Sequence, residues 1–149
     1  MRFFDQNKPI LIINGDLFWI DQDNSSLNKM IDHFDENKMD ILLALKPKNQ
    51  FFGYDGNGDF NFNKSTGEIT KTSKKNHSHS YIGIQIIHPK ILKNKLLDKF
   101  FSLNCFFKLA QNKEGILEKI TGIELEEEFF HIGTIKSLNQ TNKKLANHI

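Results

Sequence analysis

Two residues close to the ends of apolar segments have the chemistry to bind a metal ion or a phosphate. Asp16 follows the apolar run 10–13 through Asn14 and a glycine, and His131 ends a second apolar segment directly before a Gly-Thr pair. A carboxylate and an imidazole at one sheet edge can hold a divalent cation with a phosphate, and a helix starting at Gly-Thr offers N–H groups to an anion. The same residues are equally compatible with a solvated aspartate in a turn and a histidine packed against Phe130.

The strand that would position Asp16 is the run Ile-Leu-Ile-Ile at residues 10–13. Consecutive apolar, β-branched residues predict a central strand covered on both faces. Open α/β sheets bind ligands at the carboxyl ends of such strands. If the strand of His131 belongs to the same sheet, the two side chains meet at one edge. A central parallel strand is normally preceded by another strand and helix, for which the residues before Pro9 leave no room.

The remaining pattern predicts an α/β fold. Apolar residues at i, i+3, i+4 and i+7 from Leu27 indicate an amphipathic helix, and residues 40–45 a buried strand, so residues 9–46 form a β-α-β unit. Turn residues then favour a hairpin over 60–70, followed by a long strand over 81–87 in which Gly83 permits close approach of backbone or ligand.

The second half of the chain adds helices and two strands. We expect helices over 91–101 and 102–110, strands over 116–123 and 128–132, and a terminal helix after Thr134 with Ile135, Leu138 and Leu145 facing inward. No linker separates these segments, so residues 1–149 are predicted to form one domain.

Composition narrows the function class. The chain is 38% apolar and 26% charged, which predicts a soluble globular protein. A net charge of +2 is too small to indicate nucleic-acid binding. No segment has the ~20 apolar residues that span a bilayer, and the single cysteine, Cys105, suits a reducing compartment. We therefore expect a cytoplasmic protein without nucleic-acid or membrane partners.

Several segments in a fixed order resemble one enzyme family, the sugar-1-phosphate nucleotidylyltransferases. The segments are 10–16, 52–60, 81–89, 101–104 and 129–134. The nearest branch resembles mannose-1-phosphate guanylyltransferases and N-acetylmuramate-1-phosphate uridylyltransferases. The resemblance implies a Rossmann-like, mainly parallel sheet flanked by helices, with an inserted β-hairpin. It also implies transfer of a nucleoside monophosphate from a nucleoside triphosphate to a sugar 1-phosphate, with release of pyrophosphate and with Mg²⁺ as cofactor.

The resemblance also implies residue roles. Asp16 matches the magnesium-binding aspartate of the family, and His131 stands where many members carry a second metal-binding aspartate. Mg²⁺ prefers oxygen ligands, so His131 either binds the metal weakly or donates a hydrogen bond to phosphate. The implied substrate-binding residues are Asn14, Gly53, Gly83 and Asn104.

One motif of the family is absent from the 149 residues. The Gly-rich loop with an arginine, which cradles the triphosphate and follows the first strand of the family, does not occur. The chain therefore resembles the carboxy-terminal part of such an enzyme, and we expect it to be inactive alone. An apolar strand edge left open would favour self-association or pairing with a complementary amino-terminal chain. The alternatives are half of a split enzyme that needs a partner chain, a decayed remnant without activity, and a non-catalytic sugar-phosphate-binding or regulatory module.

Overall fold

The computed structural model describes residues 5, 7–21, 25–73, 75–93 and 116–146. The strands are β1 (Ile10–Ile13), β2 (Leu17–Ile20), β3 (Ile41–Pro47), β4 (Asn61–Phe62), β5 (Glu68–Thr70), β6 (His79–Ile87), β7 (Ile116–Glu124) and β8 (Glu128–His131). The helices are α1 (Ser26–His33), α2 (Lys90–Lys93) and α3 (Ile135–Ala146), with a short 3₁₀ turn at Lys48–Gln50. Most of the helices predicted over 91–110, together with Asn104 and Cys105, lie outside the described residues.

The strands form two sheets. Six of them lie in the order β1-β6-β3-β7-β5-β4, while β2 and β8 form a separate antiparallel pair. The α/β class and the inserted β4–β5 hairpin are confirmed. The sheet is mixed rather than mainly parallel, because β6 runs antiparallel to both β1 and β3, and only the β3–β7 pairing is parallel among the described strands.

The centre of the six-stranded sheet is β3, which is buried on both faces. On one face Leu42 and Ala44 pack with the β6 residues Ile82, Ile84 and Ile86. On the other face, Ile41, Leu43 and Leu45 pack with Phe60, Ile69, Ile87 and Ile120. Burial of apolar side chains on both faces is the main stabilising contribution to this sheet.

Among the described strands β1 lies at the edge of the sheet and not at its centre, with the open apolar edge that the sequence predicted. In the structure β6 occupies the position between β1 and β3, so β1 lies at the end of the sheet with β6 as its one neighbour among the described strands. Ile12 and Ile13 are 37% and 41% exposed. The apolar run therefore forms an edge strand whose second side is open in the described part of the chain.

The turn between β7 and β8 is closed by a buried lysine. Lys46, at the end of β3, donates from Nζ to the carbonyl oxygens of Leu125, Glu126 and Glu127, each at 2.9 Å. All three donors of the ammonium group are thus satisfied, although burial lowers the pKa of Lys46. This contact fixes the start of β8, the strand that ends at His131.

The inward face of α3 also differs from the expectation. Ile135 and Leu138 are 81% and 42% exposed, whereas Ser137 and Thr141 are buried. Ser137 faces Gly53, and a Cβ at position 53 would lie 3.1 Å from the Cβ of Ser137. Among the described residues, no helix combines the length and apolar content needed to cross a bilayer.

Candidate active site

The turn between β1 and β2 places Asp16 beside the end of β8. β2 pairs antiparallel with β8, and Leu17 lies opposite His131. The N–H of Ile132 donates to the carbonyl oxygen of Asp16 at 2.9 Å. The backbone thus holds the two chain segments together at the point where both functional side chains emerge.

The two side chains lie close to each other, as expected from the sequence. Asp16 Oδ2 is 3.6 Å from His131 Nε2, and the side chains are 50% and 30% exposed respectively. The reason for the proximity differs from the prediction, because His131 lies in the two-stranded sheet and not in the sheet that contains β1. Asp16 lies in the connection between β1 and β2, which runs from the six-stranded sheet to the two-stranded sheet.

Gly133 is packed against both side chains. A Cβ at this position would lie 2.8 Å from His131 Nε2 and 3.0 Å from Asp16 Oδ2. Ordinary contacts of a Cβ are longer than these distances. A side chain at position 133 would therefore displace Asp16 or His131. The glycine of the Gly-Thr pair thus leaves the carboxylate and the imidazole in their present positions.

Gly53 lies against the backbone of His131. Its φ of +78° is rare for residues with a side chain, and a Cβ would lie 2.5 Å from the His131 carbonyl oxygen. Neighbouring Phe52 accepts a hydrogen bond from the His131 N–H at 2.8 Å and donates to the Phe129 carbonyl at 3.2 Å. Gly53 is thus in close contact with β8, and its role in binding a substrate stays a prediction.

Asn14 and Gly83 contact each other. Gly83 has a φ of +90°, and a Cβ there would lie 3.0 Å from the Cβ of Asn14. The N–H of Asn14 donates to the Gly83 carbonyl at 2.8 Å. The structure thus brings together two of the predicted substrate-binding residues next to the turn that carries Asp16; the third, Asn104, lies outside the described residues.

A cleft of about 460 Å³ opens between residues 52–55 and α3. This volume lies within the ~300–1,000 Å³ typical of small-molecule sites. Its lining residues are Phe52, Gly53, Tyr54, Asp55, His131, Thr134, Lys136, Ser137, Gln140 and Lys143. His131 is shared by the cleft and the pair with Asp16, so a ligand in the cleft lies next to that pair.

Two hydroxyl groups, those of Thr134 and Ser137, cap the start of α3. The N–H of Ser137 donates to Thr134 Oγ1 at 3.0 Å, and the N–H of Thr134 donates to Ser137 Oγ at 3.1 Å. This arrangement is a reciprocal cap. Two N–H groups that the sequence suggested for an anion are therefore already used within the protein.

Sequence reasoning missed several residues of the site. One polar face of α3 lines the cleft, with Lys136, Gln140 and Lys143 at positions i, i+4 and i+7. This spacing is visible in the sequence and could have indicated that the three side chains share a helix face. Tyr81 does not line the cleft, but the charge of Asp16 acts on it. Burial, and secondarily the charge of Asp16, raise its pKa, and its hydroxyl is buried without a hydrogen-bond partner in the described structure.

The residues at this site suit a metal ion only in part. No cluster of three His, Cys, Asp or Glu residues occurs within the described ranges. Mg²⁺ is usually bound by one or two carboxylates together with waters and substrate phosphates, so a half-exposed carboxylate such as Asp16 fits it. The imidazole of His131 is a poorer ligand for this cation.

Comparisons with known proteins agree with the resemblance in the sequence. No family model matches the chain. The D-glycero-alpha-D-manno-heptose 1-phosphate guanylyltransferase of Aneurinibacillus thermoaerophilus is 30% identical over 143 residues, covering 94% of this chain and 57% of that protein. The chain thus spans little more than half the length of this curated relative.

Solved structures share the fold. HddC from Yersinia pseudotuberculosis superimposes with a TM-score of 0.63 at 16% identity, over 92% of this chain and 55% of HddC. A putative glucose-1-phosphate thymidylyltransferase from Bacillus anthracis gives 0.58 at 19% identity, over 96% of this chain and 56% of that protein. Together with the sequence similarity, these matches confirm the resemblance to the sugar-1-phosphate nucleotidylyltransferase family and show that the chain shares the fold of these enzymes.

Proposed function

We propose that this chain binds a sugar 1-phosphate and a divalent cation for nucleotidylyl transfer. The observation that carries the proposal is the pair Asp16 and His131, 3.6 Å apart beside a cleft of sugar-phosphate size. In the proposed reaction a phosphate oxygen of the sugar 1-phosphate attacks the α-phosphorus of a nucleoside triphosphate. The bond to the β-phosphate breaks, pyrophosphate leaves, and a nucleoside-diphosphate sugar forms.

Asp16 and His131 have different roles in this proposal. Asp16 would hold Mg²⁺, which would neutralise charge on the phosphate oxygens. His131 is held in place by the backbone bonds of β8 to Phe52, and it either completes the metal site or donates from its ring to a phosphate oxygen. Gly133, which has no side chain, leaves room for the carboxylate and the imidazole to lie side by side.

The 149-residue polypeptide by itself is proposed to bind the sugar phosphate without transferring a nucleotide. Phosphoryl transfer depends mostly on positioning and on charge stabilisation of the triphosphate. The Gly-rich, arginine-containing loop that supplies these in the family does not occur in the sequence. Support for this step comes from the similarity to little more than half of each relative.

The open side of β1 is the proposed docking place for the segment that carries such a loop. Ile12 and Ile13 are partly exposed there, and the outer side of β1 has no strand beside it in the described part of the chain. An added strand would satisfy the free backbone groups and cover these side chains. Without that segment, we expect the edge to pair with a second copy, visible as concentration-dependent size in size-exclusion chromatography; a monomer stable to concentration would contradict this.

Calorimetry and an activity assay test the proposal together. Mannose 1-phosphate should bind the polypeptide in the presence of Mg²⁺, and Asp16→Asn should weaken this binding at least tenfold. No nucleoside-diphosphate sugar should form from the polypeptide alone, and mixing it with a chain bearing the Gly-rich loop should start the reaction. Formation of a nucleoside-diphosphate sugar by the polypeptide alone would refute the proposal that it binds the sugar phosphate without transferring a nucleotide. Binding without activity in the mixture would favour the non-catalytic module.

A further inference from the structure

The cleft beside His131 has a charged wall that the metal site does not use. Lys136 and Lys143 lie on the same face of α3 with Gln140 between them, and all three line the cleft. Within the described ranges, neither lysine has an ion-pair or hydrogen-bond partner. By contrast, the adjacent Lys144 pairs with Glu128. The cleft therefore presents two lysines that form no ion pair with any residue the structure describes.

The opposite wall of the cleft has a different character. It consists of residues 52–55, with Asp55 contributing the only carboxylate among the residues that line the cleft and Tyr54 a phenol. The charged or titratable groups facing the cleft are thus Lys136, Lys143, Asp55, His131 and Tyr54. Two ammonium groups against one carboxylate leave the α3 side positive. Asp55 is positioned to accept hydrogen bonds from hydroxyl groups.

The spacing of the two lysines allows both to reach one anion. Residues seven apart on a helix are separated by about 10 Å along its axis. The flexible four-carbon stem of a lysine lets its ammonium group move several ångströms. A negatively charged group lying over Gln140 would therefore be within reach of Lys136 and Lys143 together.

Resting on the function proposed above, we propose that the cleft selects sugar 1-phosphates that carry a second anionic group, a carboxylate on the sugar. The reacting phosphate belongs beside Asp16 and His131, at one end of the cleft. The carboxylate is bound by Lys136 and Lys143, and Asp55 accepts hydrogen bonds from the sugar hydroxyls. Charge-assisted hydrogen bonds of this type are stronger than neutral ones.

Calorimetry with two probes that differ only at this group tests the proposal. Glucuronic acid 1-phosphate and glucose 1-phosphate, each with Mg²⁺, are titrated into the full chain. We expect glucuronic acid 1-phosphate to bind about tenfold more tightly than glucose 1-phosphate. The double variant Lys136→Gln with Lys143→Gln should lose this preference. The control variant Lys75→Gln, at an exposed loop position outside the cleft, should keep it. Raising the salt concentration should reduce the preference, because exposed charges are screened.

The outcomes separate this proposal from the function on which it rests. Equal binding of the two probes overturns the selection of an anionic sugar and leaves the sugar-phosphate site intact. A preference that survives in the double variant also overturns it, because the positive charge would then come from elsewhere. Binding of neither probe refutes the proposed function itself.

Discussion

The centre of the six-stranded sheet and the β2–β8 pair are built in opposite ways. In β3, residues 41–46 are all buried between β6 and β7. In β2, Phe18 and Ile20 are 39% and 43% exposed, and the strand has a single neighbour among the described ones. Stability thus resides in β3, whereas the candidate site is carried by a short ladder of four residues on each strand.

The comparison indicates that glycines and backbone bonds, more than core burial, hold the site. Phe129 and Phe130 anchor β8 in the interior, but His131 follows them out to the surface. Its position depends on Phe52 and Gly53 on one side and Gly133 on the other. Substitutions in the two regions should therefore have different consequences, for stability in the first and for ligand binding in the second.

The largest expected effect is in the centre of the sheet. Leu43→Ala removes a fully buried side chain and should lower the free energy of unfolding by about 2–5 kcal/mol. Ile13→Ala, at the edge and 41% exposed, should lower it by less than about 1 kcal/mol. Urea denaturation followed by circular dichroism measures both; equal losses would mean that β1 is as buried as β3.

A glycine next to His131 should be the next most sensitive position. Gly53→Ala forces a side chain into a positive φ and against the His131 carbonyl, which should cost about 1–3 kcal/mol and displace His131. Because His131 is displaced, the Gly53→Ala variant should also bind mannose 1-phosphate more weakly. The matched control is Gly15→Ala, because a Cβ at position 15 meets no atom within 4 Å. If both variants bind alike, the packing at Gly53 does not position the site.

The cap of α3 should contribute about 1 kcal/mol. Thr134→Ala removes the oxygen that accepts the Ser137 N–H, and it leaves that donor without its partner at the end of the cleft. Thermal unfolding should occur at a lower temperature in this variant, and Thr134→Ser should restore most of the stability because the hydroxyl is retained. An alanine variant as stable as the parent would show that the hydroxyl is dispensable.

The smallest effect should be a pH-dependent one at the start of α1. Asp21 accepts hydrogen bonds from Ser26 N–H and Oγ, and the backbone bond is the main cause of its lowered pKa. Because the folded pKa lies below the usual 3.8, the carboxylate stabilises the fold above that pH, and the contribution is lost as the pH falls through the folded value. Asp21→Ala should therefore cost about 0.5 kcal/mol near pH 6 and almost nothing in strong acid.

Denaturation measured across this pH range gives the answer. Asp21→Asn is the control, since the amide oxygen of asparagine can accept the same hydrogen bonds from Ser26 without titrating. It should lack the acid-dependent loss while keeping most of the stability near pH 6. If Asp21→Ala loses as much unfolding free energy in acid as near pH 6, the charge of the carboxylate is not the cause of the loss.

The sequence was sufficient to predict local elements but not their neighbours. The hairpin β4–β5, the strand containing Gly83 and the strand ending at His131 follow from turn residues and apolar patterns, which are local. The place of β1 depends on β6 entering beside it, a pairing between residues about seventy positions apart that no local pattern encodes. The same limit explains α3, whose apolar Ile135 and Leu138 face outward while Ser137 packs against Gly53.

The site shows the same division. The nearness of Asp16 and His131 was predictable from two strand ends, but their common sheet was not the cause, because β2 and β8 supply the contact. Lys136 and Lys143 were visible as helix-spaced polar residues, yet only the fold shows that their face lines a cleft.

The most direct test of a joint role for Asp16 and His131 is paramagnetic broadening of histidine signals by Mn²⁺. His79 and His88 are built-in controls, since they pair with Glu124 and Glu36 just as His131 pairs with Asp16. With mannose 1-phosphate present, substoichiometric Mn²⁺ should broaden the imidazole signals of His131 first, and Asp16→Asn should abolish that selectivity. His131 signals that stay sharp, or that broaden equally in the variant, would contradict a shared metal and phosphate site.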